Sequence, residues 1–228
     1  MVAHRGDQGE ATENTLPAFV AAAAAGARYI ECDIQFGRDM QPVVFHDHHL
    51  GRLFGRPDLR LAMHLDTVSG STMPGFESFA PLLLADLLGW LDGEPQLTLF
   101  LEIKPNVLSR HRPGVIVRLL APLLNRPSAE RIVIISQSAA MLEACARHLP
   151  QRRGWVASVR RRPRCGLHSV FLDKRQTGSL AGWKAEGVRV AVYTVNDAAE
   201  ATSLFDAGAD LVETNYFARL RRDLENGC

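Results

Sequence analysis

A chain of 228 residues, 46% of them hydrophobic, has the material for one large core and the length of a single closed α/β barrel. Its 26 Lys and Arg balance 25 Asp and Glu, which excludes the global basic field of a nonspecific nucleic-acid binder. Four cysteines, Cys32, Cys145, Cys165 and Cys228, form no C-x-x-C pair and are too scattered for a disulfide scaffold, so they read as reduced thiols.

Strand-like and helix-like stretches alternate along the chain, the pattern of a parallel sheet with helical crossovers. A strand at 2–5 leads to a helix at 15–25, then a strand at 28–34. The alanine-rich run 19–27 is too short to span a bilayer, and the first residues lack a signal-peptide pattern. A cytoplasmic protein without stable membrane insertion is the expectation. The segment 41–46 also reads as a strand, but only about six residues separate it from 34, too few for a parallel crossover of about a dozen. It is therefore expected to be the return arm of a hairpin. Residues 48–81, rich in Gly, Pro, Ser and Thr, read as an irregular excursion.

Helices follow at 79–91, 114–124, 139–148, 180–186 and 198–207, and strands at 97–103, 131–136, 154–158, 169–172, 189–194 and 210–214. Gly26, Gly187 and Gly208 each close a helix just before a strand, as a left-handed C-terminal glycine does. Setting the hairpin arm aside leaves eight strands. The expected fold is a single (β/α)8 TIM barrel, one domain over 1–228, with the hairpin and the excursion over its C-terminal mouth.

Residues two apart in a strand point the same way, so Glu31 and Asp33 project together while Cys32 faces the other side. Both sit at the carboxyl end of their strand, where barrel enzymes place their chemistry. Glu102 reaches the same mouth from the strand at 97–103. Crowded carboxylates repel, and a divalent cation relieves that cost; an all-oxygen set favours Mg²⁺ or Ca²⁺ over zinc. Surface carboxylates at strand ends are the alternative.

His4 and His46 each end a strand beside this cluster. Cleaving a phosphodiester needs a base for the attacking oxygen and an acid for the leaving alkoxide, and two imidazoles fit those roles. Arg5 offers a planar fork for phosphate oxygens, and Lys104 a point charge on the face of Glu102. For each, a structural ion pair is the competing use. Glu13-Asn14-Thr15 reads either as a helix cap or as a loop reaching the metal or His4. The segment 151–175 holds Arg152, Arg153, Arg160, Arg161, Arg162, Arg164, Lys174 and Arg175 against Asp173. It reads as solvated surface, or as a funnel for anionic substrates.

The ordered set of these motifs resembles the glycerophosphodiester phosphodiesterases. The likeness starts with Ala3-His4-Arg5-Gly6, Glu13-Asn14-Thr15-Leu16, Glu31-Cys32-Asp33-Ile34 and the run from Asp39 to Asp47. It continues through Glu102-Ile103-Lys104, Val133-Ile134-Ile135-Ser136, Tyr193-Thr194-Val195-Asn196 and Gly208-Ala209-Asp210. The resemblance implies a barrel whose one cation is held by Glu31, Asp33 and Glu102, with His4 and His46 as the acid–base pair and Arg5 and Lys104 on the phosphoryl group. It implies hydrolysis of a small glycerophosphodiester to glycerol 3-phosphate and an alcohol.

The chain departs from the pattern at Thr12, Gln137, Tyr193 and the last strand's Glu213-Thr214-Asn215-Tyr216-Phe217, where the alcohol would rest. The alternatives are a phosphodiesterase acting on a lysophospholipid or another phosphodiester, for which Phe54, Met63, Leu65 and Phe76 would be membrane-seeking residues, and a non-catalytic phosphometabolite-binding barrel.

Overall fold

The computed structural model describes residues 1–60, 81–157 and 161–227. Its elements in chain order begin with β1 (Val2–His4), α1 (Leu16–Ala24), β2 (Tyr29–Phe36), β3 (Pro42–Val44), β4 (His49–Leu50), α2 (Gly51–Phe54) and β5 (Arg56–Arg60). They continue with α3 (Leu84–Asp92), β6 (Thr98–Ile103), α4 (Pro113–Leu124), β7 (Ile132–Ser136), α5 (Ala139–His148) and β8 (Arg152–Val156). The last are β9 (Ser169–Asp173), α6 (Leu180–Ala185), β10 (Arg189–Tyr193), α7 (Ala198–Asp206), β11 (Leu211–Thr214) and α8 (Phe217–Glu225).

Eight parallel strands, β1, β2 and β6 to β11, form one sheet that closes where β1 pairs with both β2 and β11. This is the (β/α)8 barrel. Strand alternation splits its apolar residues into two layers. Val2, Phe100, Val133, Ile135, Val156, Phe171, Ala191 and Leu211 fill the interior. Ile30, Cys32, Leu99, Leu101, Ile132 and Ile134 face outward against the helices. Cys32 is thus turned away from Glu31 and Asp33, as the spacing predicts.

β3 runs antiparallel to β2, with Ile34 opposite Val44 and Phe36 opposite Pro42. That is the expected hairpin, and it carries His46 back over the mouth. Gly26, Gly187 and Gly208 all have positive φ, consistent with their helix-closing reading.

The structure departs from the sequence reading in several places, and the helix expected at 79–91 begins only at Leu84, with Leu83 bridging to Val43. Residues 49–60 are not irregular: β4 and β5 pair antiparallel around α2. The rest of the excursion, 61–80, with His64, Met63, Leu65 and Phe76, lies outside the described residues. β8 starts two residues earlier than expected, because Arg152 and Arg153 pair with Val133 and Ile134 before the apolar run begins. Helix α8 was not expected. It buries only Phe217 and Leu220, so its apolar stripe is short, and i,i+4 ion pairs such as Arg221–Glu225 support it. Several cations of the basic segment are paired on the surface: Arg161 with Glu143, Arg162 with Glu186, Lys174 with Glu200 and Arg175 with Asp173. Among the described residues no helix is long and apolar enough to cross a membrane.

Candidate active site

The chain leaves β1 through two left-handed residues, Arg5 (φ 59°) and Gly6 (φ 85°). At Gly6 a Cβ would lie 2.6 Å from the carbonyl carbon of Ala18, so the close approach to α1 admits only glycine. Arg5 holds the less favourable conformation because its surroundings fix it. Its backbone N–H donates to the Glu31 carbonyl (3.0 Å) and to Glu31 Oε2 (3.2 Å), and its carbonyl accepts from Asn14 N (2.9 Å).

That turn aims the Arg5 guanidinium at Asp33, the most heavily bonded carboxylate of the cluster. Asp33 is fully buried, forms ion pairs with Arg5 Nε (2.9 Å) and Lys104 Nζ (2.6 Å), and accepts a hydrogen bond from Asn14 Nδ2 (3.0 Å). Burial alone would raise its pKa, but the Lys104 ammonium and the Arg5 guanidinium overcome that and hold it far below the usual carboxylate range. Glu31 and Glu102 shift the other way. Burial pushes both up, with the facing carboxylates adding to it, and for Glu102 the nearby Lys104 opposes the rise.

One oxygen from each of Glu31, Asp33 and Glu102 lies within 4.8 Å of the others, and all three residues are buried. Among the described residues, Glu31 Oε1 and Glu102 Oε1 have no hydrogen-bond partner. Unpartnered buried oxygens on converging carboxylates, with no sulfur among them, fit a hard divalent cation.

The two histidines flank this cluster and are held differently. His4 Nδ1 lies 2.7 Å from Asn215 Oδ1, and its Nε2 is 3.9 Å from Glu31 Oε2. Gln8 Nε2 also donates to Asn215 Oδ1 (3.1 Å), which marks that atom as the acceptor. His4 Nδ1 therefore carries the hydrogen and Nε2 the lone pair. Burial, helped by Arg5, lowers its pKa to about 4. His46 Nδ1 instead faces a carboxylate, Asp47 Oδ1, at 2.6 Å. Burial is again the main depressing influence on His46, while Asp33 and Asp47 oppose it. Arg52 bonds Asp47 (2.7 Å) and clamps Glu13 (2.6 and 2.7 Å), and Glu13 accepts from Arg5 (3.0 Å). One charged chain thus runs from His46 through Asp47, Arg52, Glu13 and Arg5 to Asp33.

These groups border a cavity of about 220 Å³ whose opposite wall is Ile135, Val156, Phe171 and Tyr193, with Gln137 and Thr194 beside them. Glu213 also lines it, 4% exposed, with Oε1 unpartnered. Burial and the facing carboxylates of Glu102 and Asp33 push its pKa up to about 8.

A sequence model of the glycerophosphoryl diester phosphodiesterase family matches residues 4–219. The chain belongs to that family. It is 26% identical to the YqiK protein of Bacillus subtilis strain 168, over 98% of each chain. It is 24% identical to a glycerophosphodiester phosphodiesterase of Caldanaerobacter subterraneus subsp. tengcongensis, over 94% of this chain and 93% of that one. The fold matches that of an Oleispira antarctica phosphodiesterase in complex with the product sn-glycerol-3-phosphate, with a TM-score of 0.81 and 21% identity, over 98% of this chain and 96% of that one.

In this glycerophosphodiester phosphodiesterase-family barrel all seven residues singled out in the sequence line the cavity or its carboxylate cluster: His4, Arg5, Glu31, Asp33, His46, Glu102 and Lys104. Lys104 and Arg5 are also the ion-pair partners of the cluster, so both readings of them describe one arrangement. Asn14 is no cap. The helix N-cap is Thr15, without a side-chain cap bond, and Asn14 instead reaches Asp33 from a left-handed backbone (φ 57°). Asn215 and Glu213 were expected only as part of the last-strand segment where the alcohol would rest, not beside His4 and the carboxylate cluster, and Arg52 was not foreseen as a site residue. The signal for the first two was available in principle: in a closed barrel the last strand adjoins the first, so residues at its end share the mouth with His4.

Proposed function

We propose that this chain, as a single barrel domain, hydrolyses glycerophosphodiesters to glycerol 3-phosphate and an alcohol with a divalent cation, Mg²⁺ or Ca²⁺, held by Glu31, Asp33 and Glu102. The observation that carries the reading is the placement of two differently supported imidazoles on either side of a buried carboxylate cluster that already contains Arg5 and Lys104. When bound, the cation supplies Lewis-acid polarisation of a phosphoryl oxygen.

The protein's own groups divide the remaining work. His4 is neutral, with its Nε2 lone pair free, and accepts the proton of the attacking oxygen, either water or the glycerol 2-hydroxyl. His46 donates the proton that the leaving alkoxide takes up. Asp47 supports that role because a carboxylate stabilises an imidazolium, whereas the neutral amide of Asn215 gives His4 orientation without charge. Arg5 and Lys104 hold the phosphoryl oxygens as charge builds on them. The apolar wall opposite takes the alcohol.

The test is release of glycerol 3-phosphate from glycerophosphocholine and glycerophosphoethanolamine with Mg²⁺, with Ca²⁺ and with EDTA, in the wild type and in His4→Ala and His46→Ala. Turnover should need the cation, and each variant should lose about a hundredfold or more. Near-normal rates in both variants would refute the acid–base assignment. Cleavage of a generic aryl diester without cleavage of either natural substrate would keep the chemistry and reject the substrate.

A further inference from the structure

Among the described residues that line the cavity, Glu213 is the one carboxylate that the proposed reaction does not use. It sits in β11 after Leu211 and Val212, and its side chain points inward like that of Leu211, which belongs to the barrel interior. A buried acid in an otherwise apolar strand costs stability unless it is paired. Among the described residues Glu213 has no ion-pair partner, and its Oε1 is buried without a hydrogen-bond partner. Among the described residues around the cavity, Ile135, Val156 and Phe171 carry no donors, Arg5 is bonded to Glu13 and Asp33, and Lys104 to Asp33 and Glu102, while the donors Gln137, Tyr193 and Thr194 leave Oε1 unbonded.

An acceptor at the floor of a cavity, beside groups that hold a phosphoryl, selects what the substrate must bring. A phosphate oxygen has no hydrogen to offer to an acceptor. A quaternary ammonium has no N–H, and as part of the leaving group it must lie toward the open side. A hydroxyl on the retained part of the substrate meets both conditions. Building on the phosphodiesterase reading, we propose that Glu213 is a specificity residue for the glyceryl group, its Oε1 accepting a hydrogen bond from a glycerol hydroxyl. A site built around such a bond discriminates strongly against analogues that lack the hydroxyl, because the buried acceptor is then left bare.

The experiment compares calorimetric binding of glycerol 3-phosphate with that of n-propyl phosphate, which has the same chain and no free hydroxyl, to the protein in saturating Mg²⁺. The wild type should prefer glycerol 3-phosphate by at least about tenfold. Glu213→Leu should lose about that factor for glycerol 3-phosphate and leave propyl phosphate within about twofold. Glu213→Gln keeps an acceptor in the same place and should retain most of the preference. An equal loss for both ligands, or an unchanged preference in Glu213→Leu, overturns the assignment, as does a wild type without preference. Turnover of glycerophosphocholine, measured separately, keeps the two readings apart. Discrimination without turnover refutes the phosphodiesterase reading alone, and turnover with discrimination untouched by Glu213→Leu refutes the role of Glu213 alone.

Discussion

The two halves of the barrel mouth are built on opposite principles. On the side of β1, β2 and β6, charged groups are locked to one another: Asp33 alone binds Arg5, Lys104 and Asn14, and the chain of ion pairs continues through Glu13 and Arg52 to His46. On the side of β7 to β10 the wall is apolar and gains its position from packing, as in the edge-to-face contact of Phe171 with Phe100 at 4.9 Å. The first half is pre-organised at an electrostatic cost that catalysis needs, since fixed charges stabilise a transition state without reorganising. The second half carries no charged group among its described lining residues, and under the proposed function it is the part free to vary with the alcohol. The departures of Gln137 and Tyr193 from the family pattern fall in this second half.

The sharpest way to break that contrast is Asp33→Ala. Removing the anion leaves Arg5 and Lys104 buried with fewer partners, and turnover should fall by at least about a hundredfold. Stability should fall too, by about 3 to 5 kcal/mol in urea unfolding with EDTA present, since one partner of a buried charge network has been lost. A variant that keeps its rate would show the charged half to be structural only.

A smaller effect separates orientation from charge. Asn215→Ala removes the acceptor that fixes His4 Nδ1–H, and kcat should drop by about tenfold with little change in KM. Asn215→Asp restores an acceptor at the same place and should recover most of the rate. If Asn215→Asp is as slow as Asn215→Ala, orientation through Nδ1 is not what Asn215 contributes.

The same two halves explain how much could be read from the chain. Glu31 and Asp33 were legible because strand alternation puts residues two apart on one face, and the short link to the hairpin fixed the direction of β3 and so the place of His46. The barrel followed from the count of strands. Asn215 and Glu213 were legible only as part of the segment where the alcohol would rest, because their nearness to His4 depends on ring closure between the first and last strands rather than on any local spacing. Asn14 was open to two readings, a cap or a loop residue within reach of the metal or His4, and the structure has it reaching Asp33 of the cluster from a left-handed backbone that has no local signature. Helix α8 escaped because a two-residue apolar stripe is weaker than the charge around it.

The smallest expected effect on rate lies in the apolar half, and it makes the comparison quantitative. Phe171 is 1% exposed and carries no polar atom, so Phe171→Leu removes ring volume and the edge contact with Phe100 without touching any charged group. The lost packing should cost about 1 to 2 kcal/mol of stability. Turnover per folded molecule on a small generic diester should stay within about twofold, because the hydrogen bonds that hold Asp33, His4 and His46 all come from other strands and loops. Urea unfolding and initial rates on the same preparation measure both numbers. A tenfold loss of rate at unchanged KM would mean that the apolar wall sets the geometry of the charged one, and the mouth would then be a single mechanical unit rather than two.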